Sequence, residues 1–341
     1  MILLDGVYLH SYGGNSILSL LINHIIKNKL TNHFFLLLDS RYKNKFNLEI
    51  KFESIYASEY QRRKFYLKNS SNFSNILCLG NVPPPVKLKL PVLIYFHNES
   101  FLDFSKSNLN FKQKLITKLK FYYIRYKSNK NYNWAVQTNR MKEILYKKIK
   151  LNKNNISVYP VFEEKKINKF KKEKNTFLYV SNSMPHKNLN NLLSAFLKTI
   201  KKSKNIIELH LTSLETDVNI RPHKKYNNFK IYWHGKMDKD KLDKIYQKIQ
   251  FFVFPSLKES FGLPLIEATQ NHCKIIASDL PFVHEIIEPS LVFDPYSQKS
   301  ISKALNLALK SVQLKNSKIK VKSKISNLIE HLLKQNLKIK N

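Results

Sequence analysis

One stretch in the second half of the chain, FFVFPSLKESFGLPLIE at residues 251–267, limits the possible folds more than any other. Its first four residues are all apolar, which is typical of a strand covered on both faces of a sheet. Pro255 has no N–H for a sheet ladder, so we expect the strand to end there. Gly262 is one of only six glycines in the chain and predicts a sharp backbone turn, and Pro264 suits the first turn of a helix. The stretch therefore predicts a buried strand, a loop and the start of a helix.

Two carboxylates bracket this loop. Glu259 precedes the turn, and Glu267 falls inside the first turn of the predicted helix. A helix N-terminus attracts anions such as phosphate, and a carboxylate is a poor neighbour for those. It is better suited to accept hydrogen bonds from the hydroxyls of a sugar or a ribose. The alternative is that Glu259 is a solvated loop residue and Glu267 an ordinary charge at a helix start.

This stretch resembles the Glu-x7-Glu motif of the retaining GT-B glycosyltransferases called family 4, which carry the group 1 glycosyl transferase domain. Further blocks resemble successive parts of the same domain in the same order: FLYVSNSMPHKNLNNLLSAF, IYWHGKM and IIASDLPFVHEIIE. In the first half, YGGN, GNVPPP, FHNES and VQTNRMK resemble bacterial members. The resemblance is close from about residue 174 to 310 and looser from 1 to 165.

Candidate strands alternate with helical or polar stretches in both halves, as a parallel sheet with crossovers requires. They are residues 2–9, 34–38, 76–79, 92–96, 134–137 and 157–159, then 177–180, 207–211, 230–233, 251–254, 275–278 and 291–293. A lysine-rich segment of low apolar content, around residues 160–175, is interpreted as a linker that includes Lys166 and Lys169. Helices are predicted after the Ser11–Asn15 glycine loop, at 106–130, at 238–249, at 300–314 and at 325–333.

The resemblance implies an α/β fold of the GT-B type, with two Rossmann-like domains facing a central cleft. We expect an N-terminal acceptor domain at residues 1–165 and a C-terminal nucleotide-sugar donor domain at 174–320. A basic helical tail follows at 321–341.

The resemblance also implies the donor site. Lys187, just before a predicted helix, contacts the donor diphosphate, although it also fits one more solvated lysine in a lysine-rich chain. An arginine is usual a few residues earlier; here Asn182 takes that place, and Ser181 replaces the usual glycine. The phosphate site therefore has one formal cation fewer than is usual, unless another lysine compensates.

Further donor contacts follow from the same resemblance. Glu267 holds the ribose hydroxyls, and Glu259 lies near the donor sugar. The backbone N–H groups of Phe261, Gly262 and Leu263 reach the diphosphate or the sugar. Gly235 lies near the base.

In the first half, His97 matches the family's histidine close to the transferred sugar; without the resemblance it fits a capping or packed histidine equally well. Gly13 and Gly14 follow the first strand, where a glycine loop before a helix lets a backbone approach a ligand closely. By resemblance, they approach the phosphate from the opposite domain. A purely structural turn is the alternative for this pair.

A retaining transfer breaks the C1–O bond to a diphosphate, so the protein must place cations and N–H donors on that phosphate. We assign no enzymic general base, since in this family the leaving phosphate is commonly proposed to take the acceptor proton. Asp238-Lys239-Asp240 is literally a D-x-D, a metal-binding signature of a different transferase fold. Because Asp238 suits the N-cap of a helix, we predict metal-independent activity with no cofactor beyond the nucleotide-sugar substrate.

The net charge of +35 fits a merely solvated surface, nucleic-acid binding, or attraction to an anionic membrane or a phosphorylated lipid. Arginine, the usual reader of bases, occurs only six times, which argues against specific nucleic-acid recognition. Two distant cysteines fit a reducing cytoplasm. The opening MILLDGVYLH has no basic region and meets Asp5 early, so we expect a strand there and not a signal peptide. No apolar run approaches the roughly 20 residues of a membrane span. We expect a cytoplasmic protein, peripheral at the inner face of the membrane.

Three functions remain open on the sequence. The first is a hexosyltransferase acting on a lipid-linked or cell-surface glycan of the bacterial polysaccharide, O-antigen, capsule or lipooligosaccharide type. The second is a nucleotide-sugar epimerase on the same fold, although the further acids it normally needs have no place here. The third is a non-catalytic basic nucleic-acid-binding protein, suggested by charge alone. The series of motifs favours the first.

Overall fold

The structure is a computed structural model that describes residues 1–9, 12–42, 49–102, 111–165, 170–182, 184–201, 203–218, 220, 226–310 and 313–337. Parts of several predictions lie outside these residues: Ser11 of the glycine loop, Ser183, the linker residues Lys166 and Lys169, residues 106–110 and residues 311–312. The chain forms two compact units. One is Met1–Glu164 together with Lys322–Asn341, and the other is Lys165–Val321.

The elements run in chain order as follows. The helices are α1 (Tyr12–Lys27), α2 (Glu59–Asn69), α3 (Phe111–Lys127), α4 (Asn139–Ile149), α5 (Leu189–Ile200), α6 (Lys239–Lys248), α7 (Leu263–Gln270), α8 (Pro281–Ile286), α9 (Gln298–Lys310) and α10 (Ile325–Leu337). The strands are β1 (Ile2–Gly6), β2 (Phe34–Asp39), β3 (Lys51–Ile55), β4 (Asn75–Cys78), β5 (Val92–Tyr95), β6 (Asn133–Val136), β7 (Ile156–Val158), β8 (Glu173–Tyr179), β9 (Ile207–Leu211), β10 (Phe229–Trp233), β11 (Ile249–Phe254), β12 (Lys274–Ser278), β13 (Ile287–Glu288), β14 (Leu291–Phe293) and β15 (Lys318–Ile319).

Each unit is built on one parallel sheet. The first has the order β3-β2-β1-β4-β5-β6-β7, and the second β10-β9-β8-β11-β12-β14. Successive strands are added towards one side of β1 and then, from β4 on, towards its other side. In the second sheet the same change of side occurs between β8 and β11. In open α/β sheets, ligands bind beyond the carboxyl ends of the strands at such switch points.

The core of the first unit lies on both faces of its sheet. On one face α1 and α10 pack against the strands, with Leu21 and Leu332 fully buried. On the other face α2, α3 and α4 supply buried residues such as Phe65, Phe121 and Leu145. Because both faces are covered, the inner strands are mostly apolar, and the residues of β1, including the charged Asp5, are all buried.

The last helix, α10, belongs to the first unit although it follows the second in the sequence. It packs on α1, β1 and β4, and Asn75 on β4 donates its side-chain N–H to the carbonyl of Leu332 at 2.8 Å. The sequence predicted a helix at residues 325–333 in a basic tail, but the place of this helix in a core depends on a contact with a strand far away in the chain.

The strand boundaries differ from the predicted ones where side chains compete with the ladder. The first strand, predicted to reach Leu9, ends at Gly6, because the N–H of Val7 bonds to the Asp5 carboxylate and Leu9 closes a turn on Gly6. Strand β3 is absent from the predicted strands. Its residues KFESI are nearly all exposed at the edge of the sheet, so the apolar pattern that signals a strand is missing.

Candidate functional site

The strand, loop and helix of residues 251–267 are present as the sequence predicts. Phe251 to Phe254 are buried in β11, and α7 starts at Leu263 with Pro264 in its first turn. Gly262 occupies the N-cap position with φ of 88°, in the left-handed region that favours glycine. A side chain there would lie 3.1 Å from Leu265 Cδ1. The turn therefore requires glycine on conformational grounds.

Lys187 and Glu259 form an ion pair with 2.6 Å between Nζ and Oε1, and their side chains are only 16% and 14% exposed. Lys187 follows β8 and Glu259 follows β11, so the pair lies at the carboxyl ends of the two strands where the sheet order reverses. Tyr179 supports it from beneath, since its hydroxyl donates to the Lys187 carbonyl at 2.6 Å. The structure thus joins two residues that the sequence analysis assigned separately.

Glu267 is the fifth residue of α7 and so lies just past the first turn, in which it was predicted. The helix already begins at Leu263, directly after the left-handed Gly262. The carboxylate accepts a hydrogen bond from the Tyr246 hydroxyl, with 3.3 Å between Oη and Oε2. Burial raises the pKa of Glu267, while the nearby cation Lys239 opposes the rise.

The other predicted donor residues are spread over the same sheet edge. Asn182 is exposed after β8. Gly235, after β10, has φ of 61°, and a side chain there would lie 3.0 Å from Leu214 Cδ2. Two hydroxyls near this edge, of Ser181 and Ser213, are buried without a hydrogen-bond partner among the described residues. Ser213 carries no sequence signal that could have singled it out.

His97 lies at the carboxyl end of β5 in the first unit. Its Nε2 is 3.0 Å from both the Leu79 carbonyl oxygen and Asn81 Nδ2. Burial lowers the pKa of His97 to about 4, so the ring is neutral at physiological pH. A side chain on Gly14 would lie 3.6 Å from His97 Cε1, so the structure brings these two predicted residues together.

The glycine pair is not in a loop before α1, as predicted, but in the first turn of the helix, which begins at Tyr12. Gly14 is closely packed there, and a side chain on it would lie 2.5 Å from Leu9 Cδ2. Helix propensity argues against two glycines inside a helix, so the local sequence does not signal the position that they take.

Asn81, which was not predicted as a site residue, fixes the backbone around His97 in the first unit. It is buried, with φ of 63°, and its Oδ1 accepts from the backbone N–H groups of His97 at 2.6 Å and Asn98 at 3.0 Å. The fully buried Arg62 fixes the next residues by donating to the Val82 and Pro83 carbonyls. The only sequence signal was the position of Asn81 in GNVPPP, directly after a strand.

The D-x-D segment begins a helix, as predicted. Asp238 takes the N-cap position of α6, although its side chain makes no capping hydrogen bond. Within the described ranges, no group of three or more His, Cys, Asp or Glu residues is placed to hold a metal ion.

Residues 161–324 match the family model of the glycosyl transferases group 1. The O-antigen chain mannosyltransferase RfbU of Salmonella typhimurium is 30% identical over 145 residues, which cover 40% of this chain and 39% of that protein. The serotype-specific mannosyltransferase WbdA of Escherichia coli is 29% identical over 136 residues, 38% of this chain and 17% of that protein. The matched part thus spans less than half the length of these relatives.

Solved structures resemble the whole chain. Sucrose-phosphate synthase from Thermosynechococcus elongatus aligns with a TM-score of 0.67 at 15% identity, covering 90% of this chain and 89% of that one. WaaG, a glycosyltransferase involved in lipopolysaccharide biosynthesis, aligns with a TM-score of 0.60 at 10% identity, covering 98% and 94%.

Two parallel-sheet units and these likenesses define the class of protein: the fold is GT-B, and the predicted fold class is confirmed. Within that class, residues 161–324 are similar to the group 1 glycosyl transferases, the family that the motifs indicated.

Proposed function

We propose that this protein is a retaining glycosyltransferase of family 4 that moves a hexose-type sugar from a nucleotide-sugar to a lipid-linked or cell-surface glycan. The observation that carries the proposal is the Lys187–Glu259 pair at the switch point of the second sheet. Glu259 is followed three residues later by the Gly262 turn, which begins the helix that carries Glu267. The names of the relatives, which are mannosyltransferases of O-antigen or serotype-specific type, support the reaction class and make mannose the first sugar to test.

The chemistry follows from the charges at this edge. In the transfer, the C1–O bond to the diphosphate breaks and the acceptor oxygen bonds to C1 on the same face of the sugar. The acceptor proton passes to an oxygen of the leaving phosphate. Lys187 stabilises the negative charge that grows on that phosphate. The N–H of Leu263 adds a donor, since it opens α7 and has no acceptor within the helix.

The ion pair also gives Glu259 a part in binding. Without a ligand, the carboxylate neutralises Lys187 and holds it at the sheet edge. A diphosphate that takes over the ammonium group leaves the Glu259 carboxylate to accept a hydroxyl of the donor sugar. Glu267 accepts the ribose hydroxyls. The reaction needs no metal ion in this scheme, because the cation on the phosphate is supplied by a side chain.

The first test is binding. A thermal-shift screen against UDP, GDP, dTDP and their common sugars, mannose conjugates included, should raise the melting temperature for the true nucleotide by mass action. No stabilisation by any nucleotide or nucleotide-sugar would contradict the proposal.

The second test is transfer. Glu267→Ala should abolish turnover of the donor identified in the screen while leaving the unfolding midpoint within a few degrees of wild type. Glu288→Ala, on an exposed position of β13 in the same unit, is the matched control and should keep full turnover. Near-normal transfer by Glu267→Ala would contradict the assignment of Glu267 to the donor site. Loss of transfer with chelator, restored by Mg²⁺ or Mn²⁺, would contradict metal independence.

The peripheral membrane location rests on the outward sides of α2 and α3, called here the α2–α3 surface. Large apolar side chains are exposed on it, among them Tyr60 at 73%, Leu119 at 60% and Tyr126 at 83%. Exposed cations surround them: Arg63, Lys64, Lys68, Lys112, Lys114, Lys118, Lys120 and Arg125. The one carboxylate of the two helices, Glu59, accepts hydrogen bonds from Tyr8 and Tyr123.

Basic residues interspersed with aromatic and aliphatic ones suit an anionic lipid surface, where the cations meet headgroups and the apolar groups enter the interface. Among the described residues, no helix combines the length and apolar character that crossing a bilayer demands. We therefore assign the α2–α3 surface to the inner face of the membrane, where a lipid-linked acceptor is held.

Vesicle co-sedimentation tests this surface. Lys118→Glu with Leu119→Ser should weaken binding to vesicles rich in anionic lipid by at least about tenfold, since each cation near such a surface contributes about 1 kcal/mol. Lys303→Glu with Leu307→Ser makes the same changes on exposed positions of α9 in the second unit. Equal losses in both variants would mean that net charge, and not the α2–α3 surface, holds the protein on the membrane.

A further inference from the structure

A buried phenol lies behind Glu267 in the second unit. Tyr246, near the end of α6, has a fully buried side chain, and its ring packs against Phe252 with 5.8 Å between centroids. Its hydroxyl donates to Oε2 of Glu267 at 3.3 Å. A buried Tyr hydroxyl usually finds a hydrogen-bond partner. Here the partner is the carboxylate to which the proposed function gives the ribose.

The backbones that carry the two groups are tied together. The ammonium group of Lys172 donates to the carbonyl of Tyr246 at 2.7 Å and to that of Asn271 at 2.5 Å. Asn271 in turn donates to the Glu267 carbonyl, from its backbone N–H at 3.1 Å and from Nδ2 at 2.9 Å. One lysine therefore fixes the end of α6 that carries the phenol and the end of α7 that carries the carboxylate.

The phenol remains a donor over the working pH range, because burial and the nearby Glu267 carboxylate raise the pKa of Tyr246 well above its usual value. On Glu267 the effects oppose one another. Burial raises the pKa and Asp243 adds to the rise, while Lys239, Lys165 and the Tyr246 hydrogen bond lower it. The hydroxyl thus favours the ionised carboxylate, which is the form that accepts hydrogen bonds.

The hydrogen bond from Tyr246 occupies only one oxygen of the carboxylate. In the part of the chain that the structure describes, it is the one hydrogen bond made by the Glu267 side chain, and Oε1 is left for a ligand. We propose that Tyr246 is a positioning residue: by holding Oε2, it aims Oε1 of Glu267 at the ribose hydroxyls of the donor nucleotide. The inference rests on the proposed function and adds to it the residue that orients the ribose contact.

Nucleotides that lack the ribose hydroxyls give a direct test. Isothermal titration of the full chain would compare UDP and GDP with their 2′,3′-dideoxy analogues. Wild type should prefer the ribonucleotide. Tyr246→Phe keeps the ring and removes only the hydroxyl, so it should weaken the ribonucleotide about fivefold, the usual scale of one hydrogen bond. Its affinity for the dideoxy analogue should equal that of wild type.

Tyr66→Phe is the matched control. Tyr66 is also fully buried, and its hydroxyl donates to a carboxylate, Asp5 Oδ2, at 2.7 Å, but in the first unit. This variant should keep the wild-type preference for the ribonucleotide. Equal weakening of both nucleotides in Tyr246→Phe, or a fully retained preference, would overturn the positioning role alone. Failure of wild type to bind any nucleotide would instead overturn the proposed function.

Discussion

At the scale of single residues, the Lys187–Glu259 pair is the centre of the proposed donor site in the second unit. Both side chains are largely buried at the sheet edge, where a cation and a carboxylate stabilise each other and are pre-positioned for a charged ligand. Neither has the freedom of a surface lysine or a loop glutamate, which was the alternative interpretation of each from the sequence.

Replacing Lys187 should therefore affect both chemistry and folding. Lys187→Ala should lower the turnover number by about 100-fold or more, since the charge growing on the leaving phosphate loses its cation. It should also destabilise the protein, because the largely buried Glu259 carboxylate loses the charge of Lys187 that neutralises it. Steady-state transfer assays and urea unfolding measure the two effects.

Lys198→Ala provides the control, because this lysine is exposed on α5 and its ammonium group bonds only to a glutamine in the described structure. Its turnover should match wild type. Comparable losses in the two variants would show that Lys187 has no specific part in the transfer.

At the scale of elements, the start of α7 depends on one backbone conformation. Gly262→Ala should destabilise the protein by about 1–2 kcal/mol, since the left-handed backbone conformation is strained for alanine and unstrained for glycine. It should also raise the KM for the donor, because the N-terminus of α7 shifts. Thermal unfolding and donor titration would report the two changes.

Gly6→Ala is the control that distinguishes the cost of a left-handed backbone from the cost of steric crowding by the added methyl group. A side chain on Gly6 would also meet a leucine methyl at 3.1 Å, that of Leu18, but Gly6 is not among the residues with positive φ. Its destabilisation should be smaller than that of Gly262→Ala, and the donor KM should not change. A larger effect at Gly6 would argue that crowding dominates at both positions.

The α10 helix is part of the core of the first unit, so we expect substitutions in its buried face to destabilise the whole unit. Leu332→Ala should destabilise the protein by about 2–4 kcal/mol, the usual range for a fully buried leucine. Leu119→Ala, at a leucine that is 60% exposed, should change the free energy of unfolding by less than about 0.5 kcal/mol. Chemical denaturation of both variants tests whether α10 is structural; equal values would contradict it.

At the scale of the whole molecule, we expect two partly buried histidines to make the fold sensitive to acid. Burial lowers the pKa of both His97 and His210 to about 4, against about 6.5 in an unfolded chain. Between these values the unfolded chain binds more protons than the folded one, so stability is complete above about pH 6.5 and falls as the pH drops towards 4.

We expect the urea midpoint to fall between pH 7 and pH 4.5, and His97→Asn to reduce this pH dependence while lowering stability at pH 7. Urea titrations across this range measure both effects. A midpoint in wild type that is independent of pH over the window would show that these rings are not buried in their neutral form.

Much of the fold could be predicted because its signals are local. An apolar run, a proline and a glycine within 17 residues specify the β11–α7 turn, and alternation of strands and helices specifies a parallel sheet. The misplaced parts are those where local signals conflict with the final contacts. Gly13 and Gly14 indicate a loop yet lie in α1, and the charged edge strand β3 has no apolar pattern at all.

The sequence alone determined the class of protein and the position of the Gly262 turn, and it supplied the residues of the proposed donor site, since each of these depends on neighbours a few positions away. The tertiary structure alone decided which of these residues meet. Lys187 and Glu259 are 72 positions apart, Asn75 and Leu332 are 257 apart, and Tyr246 reaches Glu267 from another helix. Such contacts are set by the order of strands in the sheet, which no local pattern encodes.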